Sequence, residues 1–407
     1  MNVQPVGITL EDIEAARVRV EPHIRRTPML LKESLTSRFG VPVHLKGEHL
    51  QRTGSFKLRG ALNLVAQLSG EERARGVVAA SAGNHAQGVA VAAAQFGMRA
   101  RIYMPVDASL SKVEATRNYG AEVVLEGEGL AESLALAQAW ADEQGALFVH
   151  PFDDPRIIAG QGTLGLEIVE QVPDVGTLIV PIGGGGLFAG VARAVRALRP
   201  DCQIVGVQAR ASAPLALSLE AGHPVGIEPS PTMADGIAVH EPGALAFQII
   251  QETMDQLVLV DDDHISRTML WLMERAKQIV EAAGAAALAA LQTGEVAVAG
   301  PTVCVLSGGN VDPMQLIPVV RHGLTTVGRY MSVSTTMTDR PGELSNLLAL
   351  LADLKVNILS INHRREGVQL HVSEVRVEMT LQTRNRQHVR EVLAAMGAAG
   401  YHLRASG

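Results

Sequence analysis

The feature that most constrains this chain is an alternation of short apolar runs with helical patterns, with glycines gathered where one gives way to the other. Strand-like runs at 76–80, 99–104, 122–125, 147–149 and 177–181 lead into helical patterns at 85–96, 109–119, 129–143, 158–171 and 188–198. Strands that alternate with helices pair in parallel, and their sheets are covered on both faces. In such sheets ligands bind beyond the carboxyl ends of the strands. The turns after 80 and 181 are therefore where a site is expected. Upstream, a helix is predicted over 9–24, with Thr9 as its cap and Glu11 and Asp12 in its first turn. Thr27-Pro28 ends it, and a strand over 41–46 and a helix over 55–68 follow.

The pattern changes near Gly323. Strands over 330–336, 357–364, 368–381 and 401–404, with helices over 343–354 and 385–396, make a βαββαβ unit. The chain is thus expected to divide into 1–325, with a smaller subdomain at about 50–150, and 326–407. Its 407 residues, 47% of them hydrophobic, supply more than one core. Aromatics are only 3%, so those cores rest on Ala, Val, Leu and Ile. A formal charge of −7 argues against a nucleic-acid partner, which needs a basic face. The cysteines, Cys202 and Cys304, form no disulfide framework and lack metal-ligand spacing. The first twenty residues lack the basic start and apolar stretch of a secretory signal. No apolar run reaches the roughly 18 residues that span a bilayer. A cytoplasmic location without membrane contact is expected.

Four segments carry chemistry. In Thr53-Gly54-Ser55-Phe56-Lys57-Leu58-Arg59-Gly60-Ala61, Lys57 stands at the head of an apolar helix. The positive helix end and burial both lower an amine's pKa, and such an amine joins carbonyl cofactors. An ordinary helix start is the alternative. Ser81-Ala82-Gly83-Asn84-His85-Ala86-Gln87-Gly88 offers amides at a helix start that suit a carboxylate, or is a plain turn capped by Asn84. Gly183-Gly184-Gly185-Gly186-Leu187 lets the backbone wrap an anion. It lacks the Lys followed by Ser or Thr of a Walker loop and the spacing of a dinucleotide loop, so a single phosphate fits better. Val305-Leu306-Ser307-Gly308-Gly309-Asn310 is an apolar strand ending in a hydroxyl and two glycines, or an ordinary strand end.

Together these segments resemble the serine/threonine dehydratase family of fold-type II pyridoxal-phosphate enzymes, from Thr9 to about Gly323. The resemblance implies a tryptophan-synthase-β-like α/β fold with two parallel-sheet subdomains, and pyridoxal 5′-phosphate as cofactor. It makes Lys57 the Schiff-base lysine and the base at Cα, with Phe56 packed on the ring. Asn84 then meets the cofactor's 3-hydroxyl, and Gly183, Gly184, Gly185, Gly186 and Leu187 cradle its phosphate. Ser307 meets the pyridine nitrogen, and Ser81, Ala82, Gly83 and His85 hold the substrate carboxylate. The implied reaction is β-elimination, converting L-threonine to 2-oxobutanoate and ammonia and, secondarily, L-serine to pyruvate. A hydroxyl at the pyridine nitrogen makes a weaker electron sink than an aspartate and favours prompt elimination.

Where relatives that racemise serine have a second serine, this chain has Ala82, so racemisation is expected to be poor. The stretch from Gln208 to Pro214 has no carboxylate, so no metal is expected there. The segment from Thr232 to Val239 resembles the family's active-site wall, and Glu281 falls near a family position by the cofactor. The C-terminal unit resembles an ACT domain through Asp339-Arg340-Pro341-Gly342-Glu343-Leu344. That implies an amino-acid effector such as isoleucine or valine at Asp339, Arg340, Gly342 and Leu344, or a domain used only for assembly. A homodimer or homotetramer is expected. Rival readings are a serine or 3-hydroxyaspartate ammonia-lyase and a non-catalytic amino-acid sensor.

Overall fold

The computed structural model describes residues 7–228, 230–365, 371 and 373–405. The chain forms two compact units, Met1–Leu316 and Ile317–Gly407, and the division falls inside the helix Pro313–Thr326. The strands of the first unit are β1 (Met29–Leu31), β2 (Val43–Gly47), β3 (Val77–Ala80), β4 (Ala100–Met104), β5 (Glu122–Leu125), β6 (Leu147–Phe148), β7 (Thr177–Pro181), β8 (Gln203–Ala209), β9 (Gln256–Val260) and β10 (Thr302–Leu306).

They build two sheets. One runs β1-β2-β10-β7-β8-β9 and is parallel except for β1. The other runs β5-β4-β3-β6 and is parallel throughout. β3, β7 and β10 are buried along their whole length, as expected of strands covered by helices on both faces. Leu58, Leu62, Val89 and Ile102 fill the core at the smaller sheet. Leu178, Val180, Phe188 and Val303 fill that at the larger.

The predicted strands over 122–125 and 177–181 keep their bounds. Helix starts moved. The predicted 9–24 helix is Leu10–Val20, begun by a Thr9–Asp12 capping box and continued as the tighter turn Glu21–His23. The 55–68 helix is Lys57–Ala66: the Phe56 amide donates to the Ser307 carbonyl, and Ser55 bridges to Gly308. The helices Asn84–Gln95 and Gly186–Leu198 start inside the motifs that precede the predicted starts. β1 and the helices Glu33–Phe39 and Gly70–Arg75 were not anticipated, although the Ser69–Glu72 capping box of the last is a local signal.

The second unit has β11 (Tyr330–Thr338), β12 (Asn357–Arg364), β13 (Glu374–Gln382) and β14 (His402–Ala405), with helices Glu343–Asp353 and Arg386–Ala398. Its antiparallel sheet runs β12-β13-β11-β14, which gives the predicted βαββαβ order. Alternate residues of β13, namely Val375, Val377, Met379 and Leu381, share a core with Leu347, Leu351, Val392 and Met396. The predicted 368–381 strand begins at Glu374; residues 368–370 and 372 lie outside the described residues.

Candidate active site

β3, β7 and β10 end at Ala80, Pro181 and Leu306, and the segments that follow all line one cavity of about 340 Å³. Phe56, Lys57, Ser81, Ala82, Gly83, Asn84, His85, Gly183, Gly184, Gly185, Gly186, Leu187 and Ser307 meet there. The site lies beyond the strand ends, as the parallel topology dictates.

Lys57 opens its helix, and its Nζ donates to the Pro151 carbonyl at 2.7 Å. The same Nζ lies 5.3 Å from the centre of the Phe56 ring. The partner is a main-chain carbonyl and not a carboxylate. Burial therefore prevails and lowers the amine to about 8, with Glu281 opposing it. An amine near 8 is partly unprotonated at neutral pH.

The glycine loop is shaped by its neighbours. Gly185 caps the helix Gly186–Leu198 at φ 99°, a left-handed backbone that favours glycine. A methyl group on Gly184 or Gly186 would run into Phe152. The first amides of this helix have no intrahelical acceptor and stand at its positive end. Leu187 packs its side chain into the core at the larger sheet.

The carboxylate loop differs in part from its sequence reading. The Gly83 amide donates to Ser81 Oγ at 3.1 Å, so it is not free for a ligand. His85 is 4% exposed and its Nε2 donates to the Val149 carbonyl at 2.8 Å. Burial first, and then Lys57, lower its pKa to about 3, which leaves the ring neutral. His85 braces the loop from within and brings no charge to a second carboxylate.

Asn84 donates from Nδ2 to Glu281 Oε1 at 2.7 Å and accepts from Asn310 Nδ2 at 2.7 Å. Burial raises the Glu281 carboxyl to about 7, against the Asn84 hydrogen bond. Ser307 is 4% exposed at the end of β10. Asp262 holds the wall segment through Thr232 Oγ1 at 2.6 Å and the Met233 amide at 3.1 Å, and 235–239 line the cavity.

Sequence reasoning missed Pro151, Phe152, Asn310's bonds and Lys112, which lies 3.7 Å from Asp235. The position of Pro151-Phe152 beyond a parallel strand, β6, was the available signal for the first two.

Residues 20–308 match the family described as pyridoxal-phosphate dependent enzyme. The chain belongs to this family. Residues 331–398 match the ACT domain. The chain is 44% identical to an L-threonine ammonia-lyase of Thermotoga maritima, over 98% of this chain and 100% of that protein. It is 44% identical to one of Geobacter sulfurreducens, over 96% of this chain and 97% of that protein. Among solved structures, it is similar to threonine deaminase isoform 2 of Solanum lycopersicum, with TM-score 0.73 and 37% identity over 78% of this chain and 95% of that one. Maize serine racemase is similar with TM-score 0.74 and 34% identity, over 78% of this chain and 98% of that one.

The residues of this pyridoxal-phosphate enzyme fit the group. The cavity holds an amine of lowered pKa for its carbonyl and a glycine-lined helix start for its phosphate. An amide and a hydroxyl, on Asn84 and Ser307, line the same cavity.

In the second unit, the predicted effector turn is exposed, and its polar groups bond to one another and to neighbouring segments. Asp339 pairs with Arg365 at 2.9 Å and its amide donates to the Ser373 carbonyl. The Arg340 amide donates to the Thr338 carbonyl, and Gly342 caps the helix Glu343–Asp353 at φ 97°. Leu344 packs against the core.

Proposed function

We propose that this enzyme converts L-threonine to 2-oxobutanoate and ammonia, with L-serine to pyruvate as a secondary activity. The observation that carries the chemistry is the Lys57 amine, near 8, in one cavity with the glycine loop. The choice of substrate rests on full-length relatives named L-threonine ammonia-lyase.

Bound pyridoxal phosphate supplies the electron sink that makes loss of the substrate Cα proton feasible. Lys57 Nζ anchors it and takes that proton. The 183–187 amides hold the phosphate at the positive end of their helix. Asn84 and Ser307 orient the ring, and Phe56 packs beside it. Ser81, Ala82 and the amides at the start of Asn84–Gln95 receive the carboxylate. Ala82 offers no proton to the face of Cα away from Lys57, so elimination is favoured over racemisation. His85 is neutral, which disfavours a diacid such as 3-hydroxyaspartate.

The catalytic domain is taken as 1–325, with a smaller subdomain at about 50–150, and the ACT-like regulatory domain as 326–407. An amino-acid effector such as isoleucine, met by Asp339, Arg340 and Gly342, a homodimer or homotetramer, and a cytoplasmic location complete the proposal. The test is 2-oxo acid release from L-threonine, L-serine and threo-3-hydroxyaspartate, with and without isoleucine. Turnover highest on threonine and altered by isoleucine supports both halves. A higher kcat/KM on another substrate overturns the named one.

A further inference from the structure

Asn310 belongs to the segment after β10, and its bonds reach two other parts of the site. Its Nδ2 donates to the Thr53 carbonyl at 2.7 Å and to Asn84 Oδ1 at 2.7 Å, with Gln87 Oε1 at 3.4 Å. Its Oδ1 lies over Gly54, so closely that a methyl group there would collide with it.

The atoms in this chain have no freedom to exchange roles. A main-chain carbonyl only accepts, so the Asn310 atom facing Thr53 must be nitrogen. That nitrogen has two hydrogens, and the second meets Asn84 at the same short distance. The Asn84 atom it meets must therefore be oxygen. The other end of the Asn84 amide is then nitrogen, with one hydrogen on Glu281 and one left for the cavity. The orientation of Asn84 is thus set by a peptide carbonyl in the loop that carries Lys57.

We propose that Asn310 is a positioning residue that fixes the Asn84 side chain so that it shows the bound cofactor a donor and never an acceptor. A donor there stabilises the ionised 3-oxygen of the cofactor, the form that absorbs in the visible. Thr53, Asn310, Asn84 and Glu281 act as one relay, and it joins the lysine loop to the cofactor's ring. This inference rests on the reading that Asn84 faces the 3-oxygen.

The test uses the holoenzyme. Asn310→Asp keeps the shape and removes the donor, and Asn310→Ala removes the donor without adding charge. In both, the visible band of the bound cofactor should fall in favour of near-ultraviolet absorption at fixed pH. Cofactor affinity should weaken about tenfold, the scale of a lost hydrogen bond to a charged group. In the Asn84→Ala background, Asn310→Ala should add nothing to the spectral change, because Asn310 acts through Asn84. A merely structural role would not produce that non-additivity. Near-ultraviolet circular dichroism identifies a variant that fails to fold, and the other variant then carries the test. If Asn84→Ala shifts the spectrum and folded Asn310 variants do not, the orientation argument is wrong. If Asn84→Ala itself leaves the spectrum unchanged, Asn84 does not face the 3-oxygen, and the inference fails with that reading.

Discussion

Lys57 and Arg59 stand two residues apart on one helix and meet opposite fates. Arg59 is fully buried, with Nε and Nη2 on the two oxygens of Glu48 at 2.8 Å each and Nη1 on Glu167 at 2.8 Å. Burial pulls its pKa down, but Glu48 and Glu167 outweigh it and the guanidinium stays charged. Lys46 joins the same cluster, bonded to Glu167 at 2.6 Å and Gln171 at 2.7 Å, yet burial outweighs the carboxylates there and lowers its amine. Burial likewise raises the Glu167 carboxyl, and Arg59 reverses the outcome to a net lowering. Lys57 has only a peptide carbonyl, so burial wins. The outcome is a balance: two carboxylates outweigh burial at Arg59, whereas burial prevails at Lys46 with its shared carboxylate and at Lys57 with none bonded to it. The packed side of the helix holds its charge firmly, and the cavity side holds it less firmly.

The comparison can be broken at several places. The largest effect is expected for Lys57→Ala, which should cut 2-oxo acid release by at least ~10²–10⁴-fold and abolish the yellow absorption. A coloured, active variant would show that the amine is elsewhere. Arg59→Leu should leave the colour and remove about 3–5 kcal/mol of stability, read from denaturant unfolding, since buried Glu48 loses its bonded cation and Glu167 keeps only Lys46. Adding Glu48→Gln should recover part of the loss, and an unchanged midpoint in the single variant would discount the network.

His85 tests the cavity side under acid. Its value of about 3 in the folded protein lies below the usual 6.5. Its contribution to stability is therefore complete above pH 6.5 and is lost as pH falls towards 3. His85→Gln should flatten that acid limb, and an identical pH dependence in both proteins would refute the assignment. The smallest effect concerns Glu281, which raises Lys57. The rate at which cofactor-free protein takes up pyridoxal phosphate should climb through about pH 8 as the amine loses its proton. In Glu281→Gln that climb should move to lower pH. A shift upward would reverse the sign of the coupling.

Much of the fold was legible locally. The strands over 122–125 and 177–181 were readable to the residue, because apolar runs between turn signals are local events. The ACT-like order of strands and helices was readable for the same reason. Helix starts at the site were less legible. Lys57 begins its helix because Phe56 and Ser55 are drawn to Ser307 and Gly308, some 250 residues onward. Short β1 and its following helix, Glu33–Phe39, offered too few periods to register.

The same division applies to the site. The residue types were present in four short motifs, which pointed to an amine, an anion loop and helix-start amides, and the resemblance of the four together implied their roles. Their charge states and orientations depend on partners far away in the chain. Arg59 meets Glu167 across 108 positions, and Asn84 is oriented by Asn310 across 226. The sequence by itself determined the element types and the chemical groups available, since turn chemistry and periodicity act over a few residues. Only the tertiary structure decided that Lys57 is lowered to about 8, that Arg59 keeps its charge and that His85 stays neutral. Desolvation and Coulomb forces depend on which groups are brought within a few ångströms of one another, wherever they stand in the chain.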